Sequence, residues 1–139
     1  MSLNGIAKGT ELESLMKNMM QAEANGTMMY YALAQLAREQ GLDDVAEGFI
    51  TAANEEAVHA GFYAVLSGKY PTDFWDLIRA VQKAEENGEA QVKAMADKVR
   101  AAGFDEAADQ MEIFARQEGG HGVRLQAMLD RSEEHTSEL

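Results

Sequence analysis

Apolar residues recur every three or four positions along four long stretches of the chain, which is the spacing of amphipathic α-helices. The stretches run from Leu12 to about Gln40, from Asp43 to about Leu66, from about Asp73 to Ala102, and from Asp105 to about Asp130. Each is longer than a typical globular helix, and short turns separate them. The pattern predicts an all-α chain folded as an antiparallel four-helix bundle.

Capping and turn residues mark the ends of these stretches. Thr10 and Glu13 fit the capping box S/T-x-x-E and predict the start of the first helix. Asp43 and Asp105 are suited to cap the second and fourth helices. Glycines that can adopt a left-handed conformation follow three of the stretches, at Gly41, Gly68 and Gly103.

The composition agrees with a helical protein and excludes several classes. Proline occurs once in 139 residues, and the hydrophobic share of 46% is enough for one core in a single domain. A net charge of −12 argues against nucleic acid or an anionic membrane surface as a partner. The chain has no cysteine, no apolar run of about 18 residues and no signal-peptide pattern. We therefore expect a cytoplasmic protein without an iron–sulfur cluster or a membrane span in this chain.

The last nine residues look foreign to the rest. RSEEHTSEL, from Arg131 to Leu139, matches the translation of one frame of a common sequencing-library adapter. We therefore expect the native domain to span residues 1–130, with residues 131–139 a non-native tail that includes His135. An interrupted read would also hide any natural sequence beyond Asp130.

Each of the four apolar stripes carries a glutamate near its middle, and two of them carry a histidine one turn later. The glutamates are Glu23, Glu56, Glu85 and Glu118, and the histidines are His59 and His121. An unpaired buried carboxylate destabilises a protein by several kcal/mol. Four carboxylates that converge on one core therefore predict a bound cation.

An internal repeat at an offset of 62 residues supports this interpretation. GLDDVAEGFITAANEEAVH, residues 41–59, aligns without gaps on GFDEAADQMEIFARQEGGH, residues 103–121. AEANG, residues 22–26, aligns at the same offset on AEENG, residues 84–88. Each half thus supplies one helix with a glutamate and one with Glu-x-x-His, the ligand pattern of a di-iron or di-manganese carboxylate bundle.

The spacing and chemistry of the ligands indicate the metal. Positions i and i+3 lie on one helix face, so the glutamate and the histidine of each Glu-x-x-His can reach the same ion. Oxygen-rich ligation with one imidazole for each ion suits iron or manganese better than structural zinc. One such motif in a glutamate-rich helix is a weak signal, whereas two at a shared offset are a strong one. A duplication kept only for packing, with these side chains on the surface, is the competing explanation.

At these residues the sequence resembles the rubrerythrin family. The likeness extends from Gly9 to Leu129 and includes KGTELESL, EANGTMMY, NEEAVH and RQEGGH. The resemblance implies a ferritin-like four-helix bundle with two iron ions in its core, Fe2+ or Fe3+, with or without an oxo bridge. Manganese and zinc are possible substitutes. It also implies reduction of hydrogen peroxide to water, and a homodimer in which helices are exchanged or retained.

The resemblance also assigns roles to the ligands. It implies that two carboxylates bridge the ions and that each ion has one further carboxylate and one histidine. The bridging residues would be Glu56 and Glu118, and the pairs would be Glu23 with His59 and Glu85 with His121. Tyr30, two turns after Glu23, is either a hydrogen-bond donor to a ligand carboxylate or a core aromatic residue.

The third helix departs from the family pattern. Rubrerythrins have one more glutamate three residues after the first, and Gly88 stands at that position here. Either Glu85 and Glu89 supply the ligands of this helix, or a shift by one residue makes Glu86 and Glu89 the pair. The repeat favours Glu85, so we expect Glu89 to be a seventh ligand that takes part in catalysis with Glu56, Glu118 and Tyr30.

Three functions follow from these patterns. The first is a peroxidase of the di-iron type that takes electrons from a rubredoxin-type donor. Because this chain has no cysteine, that donor is either a separate protein or a domain lost with the interrupted read. The second function is ferroxidase activity and iron handling, as in ferritins, and the third is a structural bundle without metal.

Overall fold

A computed structural model of the protein describes the backbone of residues 2–137 and the side chains of residues 2–133. The elements are four helices, α1 (Glu13–Glu39), α2 (Asp43–Ser67), α3 (Phe74–Ala101) and α4 (Asp105–Ser137). No strand occurs among the described residues, so the predicted all-α class is confirmed. Among the described helices, none is both long and apolar enough to cross a membrane.

The helices pack in sequential pairs. α1 packs on α2 and α3 packs on α4, which divides the chain at Thr72 and Asp73 into two compact units. We call the α1–α2 unit hairpin 1 and the α3–α4 unit hairpin 2. Two hairpins of this kind are the repeats from which a ferritin-like bundle is built, as the sequence repeat predicted. The single native domain over residues 1–130 stays a prediction.

Small side chains hold the two helices of hairpin 1 together. The buried alanines come from both helices: Ala34, Ala37, Ala46, Ala53 and Ala64. Phe49 and Ile50 pack against three of them, Ala34, Ala37 and Ala46. Methyl-sized side chains at the contact let two helices approach closely, since the interaxial distance depends on the side chains between them.

Hairpin 2 repeats this packing. Ala108 and Ala115 of α4 are 0% and 4% exposed, and their counterparts Ala46 and Ala53 in hairpin 1 are both 0% exposed. Larger apolar side chains behave differently in both hairpins. Phe62 is 49% exposed and Met95 is 56% exposed, so the contact within each hairpin leaves much apolar surface uncovered.

The helix ends are partly as predicted. Gly41, Gly68 and Gly103 all have positive φ, of 75°, 70° and 95°, in agreement with their predicted place after helix C-termini. Asp43 and Asp105 are the first residues of α2 and α4 and not their caps. Their charges in the first turn still interact favourably with the helix dipole.

The predicted capping box of α1 has other partners than expected. The Thr10 hydroxyl accepts a hydrogen bond from the Leu12 N–H at 3.1 Å. The Glu13 carboxylate accepts one from the Gly9 N–H, also at 3.1 Å, and not from the Thr10 N–H. This bond, together with Lys17, lowers the pKa of Glu13 below its ordinary value.

The fourth helix is longer than predicted. It was expected to reach about Asp130, and it continues to Ser137 through most of the predicted tail. Residues 131–137 contain neither glycine nor proline, so nothing in their sequence ends a helix. Residues 138–139 and the side chain of His135 lie outside the described part of the chain.

Candidate metal centre

Hairpin 1 brings together three of the residues that the sequence singled out. Glu23 from α1 and the pair Glu56 and His59 from α2 form cluster 1. Each side chain offers one ligand atom, and these atoms lie within 4.8 Å of one another. His59 Nδ1 is 3.7 Å from Glu23 Oε2. Because Glu56 and His59 are three residues apart, α2 presents both on one face.

Hairpin 2 repeats the arrangement with the equivalent residues. Glu85 from α3 and the pair Glu118 and His121 from α4 form cluster 2, whose ligand atoms also lie within 4.8 Å of one another. His121 Nδ1 is 3.5 Å from Glu85 Oε2 and 4.0 Å from Glu118 Oε2. All six residues of the two clusters are related by the offset of 62 seen in the sequence.

The surroundings of the clusters favour a cation. The side chains of Glu23 and Glu85 are 23% and 22% exposed, so both carboxylates are largely withdrawn from water. Among the described side chains, Glu85 Oε2 is the buried polar atom that has no hydrogen-bond partner. A buried acceptor without a donor is unfavourable, and a metal ion would satisfy it. The donor set therefore fits a metal that prefers carboxylate oxygen and imidazole nitrogen.

The electrostatics of cluster 2 point the same way. A hydrogen bond with the Glu85 carboxyl raises the pKa of Glu118, and partial burial and the charge of Glu85 add to the effect. Two adjacent carboxylates resist being charged together unless a cation lies between them. The raised pKa of Glu118 thus reflects two carboxylates held close together at a place suited to a metal ion.

Two glycines make room for the glutamates of the facing helix. A Cβ atom at Gly26 of α1 would lie 3.3 Å from Glu56 Oε2, and one at Gly88 of α3 would lie 3.5 Å from Glu118 Oε2. Each glycine lies three residues after the glutamate of its own helix. The repeat aligns these glycines in AEANG and AEENG, but it predicted no role for them. A glycine within a long helix that recurs at the repeat offset is the signal that could have found them.

Comparison with known proteins agrees with the geometry. A model of the rubrerythrin family matches residues 14–79. The chain is 30% identical over 131 residues to reverse rubrerythrin-1 of Clostridium acetobutylicum. The aligned region covers 91% of this chain and 72% of that protein. The chain belongs to the rubrerythrin family. It is also 35% identical over 127 residues to an uncharacterized protein of Methanocaldococcus jannaschii. This aligned region covers 91% of this chain and 90% of the relative.

Membership in the rubrerythrin family implies a di-iron centre, and clusters 1 and 2 are the two groups of residues able to hold its ions. The family model covers all of cluster 1 and ends before Glu85, the first residue of cluster 2. For cluster 2 the assignment therefore stands on its own geometry and on the internal repeat.

The three candidate glutamates of α3 in this rubrerythrin-family chain have different surroundings. Glu85 joins cluster 2, whereas the Glu86 carboxylate accepts a hydrogen bond from the Gln82 amide of its own helix. Glu89 is exposed and is not one of the three residues whose ligand atoms converge. Its carboxylate lies against Gly119 of α4. The structure thus places six of the seven predicted ligands in the two clusters and Glu89 beside one of them.

Tyr30, the remaining predicted site residue, packs in hairpin 1. Its ring stacks on Phe49 with 6.1 Å between ring centroids and 26° between ring planes. This contact is the one expected of a core aromatic residue. The neighbouring Tyr31 donates a hydrogen bond from its hydroxyl to the side-chain oxygen of Asn54, which joins α1 to α2.

Proposed function

We propose that the protein is a cytoplasmic di-iron oxidoreductase that reduces hydrogen peroxide to water with electrons from a rubredoxin-type donor, in defence against oxidative stress. The observation that supports this best is the pair of repeat-related clusters, each with two carboxylates and one imidazole. Membership in the rubrerythrin family adds the expectation of iron. The native metal, the electron donor and the substrate are parts of the proposal.

The proposal includes a homodimer. Each hairpin holds three ligands and exposes large apolar side chains such as Phe62 and Met95. A dinuclear centre needs both sets of ligands, and apolar surface of this extent favours burial against a partner. We propose that this surface is buried in the dimer, with helices exchanged between the two copies.

The ligands have separate tasks in such a centre. The carboxylates of Glu23 and Glu56 would hold an ion in hairpin 1, and those of Glu85 and Glu118 would hold one in hairpin 2. The imidazoles of His59 and His121 complete the two sets. Two bound iron ions would supply one electron each, so that peroxide takes two electrons and two protons and yields two molecules of water. Anionic ligands favour the more highly charged oxidised state of the ions.

Iron content and the kinetics of oxidation test this proposal together. The protein is loaded anaerobically with Fe2+, and its oxidation by hydrogen peroxide and by dioxygen is followed by stopped-flow absorbance. We expect about two irons in each chain and much faster oxidation by peroxide than by dioxygen. Faster oxidation by dioxygen would favour the ferroxidase function instead, and a protein that binds no iron would exclude both.

A further inference from the structure

One asparagine in each repeat lies beside a metal cluster without being a ligand. Asn25–Gly26 is near the middle of α1 and Asn87–Gly88 is near the middle of α3, and the offset of 62 residues relates the two pairs. Both asparagines are exposed to water. An asparagine followed by glycine is prone to spontaneous deamidation, because glycine has no side chain to hinder attack by its own backbone nitrogen on the asparagine side chain. The chain thus carries the same reactive pair at each cluster.

The reaction requires the helix to open at the asparagine. Deamidation begins when the glycine nitrogen attacks the side-chain carbonyl carbon of the asparagine, which forms a succinimide and releases ammonia. Water then opens this ring at either carbonyl, so that one amide and one water become one carboxyl group and one ammonia, and the product is aspartate or isoaspartate. In an intact helix the glycine N–H donates to the carbonyl four residues earlier, and the backbone is not free to close the ring. Only molecules that are locally unfolded can therefore react.

Metal binding opposes this local opening. Each pair follows, by two residues, a glutamate that belongs to a cluster shared with the next helix, Glu23 in cluster 1 and Glu85 in cluster 2. The glycine of each pair also lies against the other glutamate of that cluster. Opening the helix at the asparagine therefore displaces a ligand, and the ion is lost. An ion that binds only the closed state lowers the open fraction as its concentration rises above the dissociation constant.

We propose that Asn25 and Asn87 are sites of spontaneous deamidation that a bound metal ion protects, so that chains without metal become modified at the clusters. This inference rests on the proposed metal function. Isoaspartate carries the main chain through its side chain and adds one methylene group to the backbone, which interrupts the hydrogen-bond pattern of an α-helix. Its formation in α1 or α3 displaces Glu23 or Glu85 from the cluster. Loss of metal, which is reversible, is thereby followed by irreversible loss of the site.

The two sites differ in their contacts, and a third asparagine–glycine pair is an internal control. The side-chain oxygen of Asn25 accepts a hydrogen bond from the Gln21 amide at 3.0 Å, whereas the Asn87 side chain makes no hydrogen bond within the described part of the chain. Asn87 should therefore deamidate faster than Asn25. Asn4–Gly5 precedes α1, and the Gly5 N–H donates to the Val65 carbonyl at 2.8 Å. Breaking this bond leaves the ligands of both clusters in place, so the rate at Asn4 should not depend on metal.

Peptide mapping measures the three rates in one experiment. Trypsin separates the pairs into peptides 1–8, 18–38 and 84–93, and mass spectrometry of these peptides follows deamidation in protein incubated at neutral pH. With free Co2+ at about a hundred times its dissociation constant, modification of Asn25 and Asn87 should be about a hundredfold slower than in metal-free protein, and that of Asn4 unchanged. Equal rates with and without bound Co2+, or equal protection of Asn4, would overturn the inference alone. A wild-type protein that binds no Co2+ would refute the proposed function and the protection together.

The consequence for the site is tested by the Co2+ capacity of protein stored without metal. Wild-type protein should lose capacity in step with the formation of isoaspartate in α1 and α3, as measured by titration followed in the visible spectrum. The double variant Asn25→Gln with Asn87→Gln should keep its capacity, because glutamine forms the corresponding ring far more slowly. Asn4→Gln is the matched control and should lose capacity as the wild type does. Full capacity in wild-type protein that carries isoaspartate at both sites would overturn the proposed loss of the site.

Discussion

Glu55 and Glu56 are adjacent in the chain but have different surroundings. Glu55 is exposed, whereas Glu56 is half-buried, belongs to cluster 1 and lies against Gly26. Glu56→Gln keeps the shape of the side chain and removes the charge that a metal ion needs. We expect this change to lower metal affinity by at least about tenfold, measured by metal content after dialysis. Glu55→Gln is the matched control and should retain the wild-type content, and equal losses in both variants would contradict the assignment of Glu56.

Periodicity and the repeat predicted most of the ligands at this scale. Glu23, Glu56 and His59 fall on apolar stripes, and their counterparts 62 residues later do the same, so helix geometry alone brings each set to one face. Glu89 follows Glu85 by one helical turn and was expected to face the site, yet its carboxylate lies at Gly119. Spacing along a helix fixes the direction of the Cα–Cβ bond of each residue. The position of a terminal carboxylate on a long side chain also depends on the facing helix, which periodicity does not describe.

At the scale of the helices, Asp73 provides a capping contact that can be isolated. Its carboxylate accepts a hydrogen bond from the Asp76 N–H at 3.0 Å, and α3 begins directly after it. Asp73→Ala should therefore lower the free energy of unfolding by about 1 kcal/mol, as loss of a side-chain cap generally does. Denaturant unfolding followed by circular dichroism measures the change. Asp73→Asn, which keeps an oxygen acceptor, should restore most of the stability, and equal losses in both variants would show that the bond is unimportant.

The predicted helix boundaries were correct where a single residue, such as a glycine, determines where the helix ends. Each glycine predicted to follow a helix adopts the left-handed conformation that glycine allows without steric strain. The prediction was less accurate where a side chain has several partners within reach. Glu13 bonds to the Gly9 N–H, one position before the expected one, because the turn that precedes α1 is already closed by backbone bonds such as that from the Thr10 N–H to the Ala7 carbonyl.

For the whole molecule, the burial pattern and the ligand clusters both indicate that metal binding accompanies the burial of apolar surface. Each hairpin has buried alanines where its two helices pack, and its larger apolar residues, such as Phe62 one turn after His59 on α2, remain about half exposed. Alanine burial alone contributes little hydrophobic free energy, since the gain follows the apolar area removed from water. The side of α2 that carries a metal ligand thus also carries apolar surface to be covered. Metal binding and the burial of this surface should therefore be coupled.

This coupling predicts that metal removal destabilises the whole protein. A ligand that binds only the folded state raises the free energy of unfolding, by about 2.7 kcal/mol at a hundredfold excess over its dissociation constant. We expect treatment with a chelator to lower the melting temperature by several degrees, and restored Fe2+ or Mn2+ to reverse the change, as followed by calorimetry. The double variant His59→Ala with His121→Ala should lose this response. His135→Ala is the control because this third histidine belongs to the predicted non-native tail, and it should respond as the wild type does. A melting temperature that is unchanged by chelator in a protein shown to bind metal would mean that the clusters bind their ions without contributing to the fold.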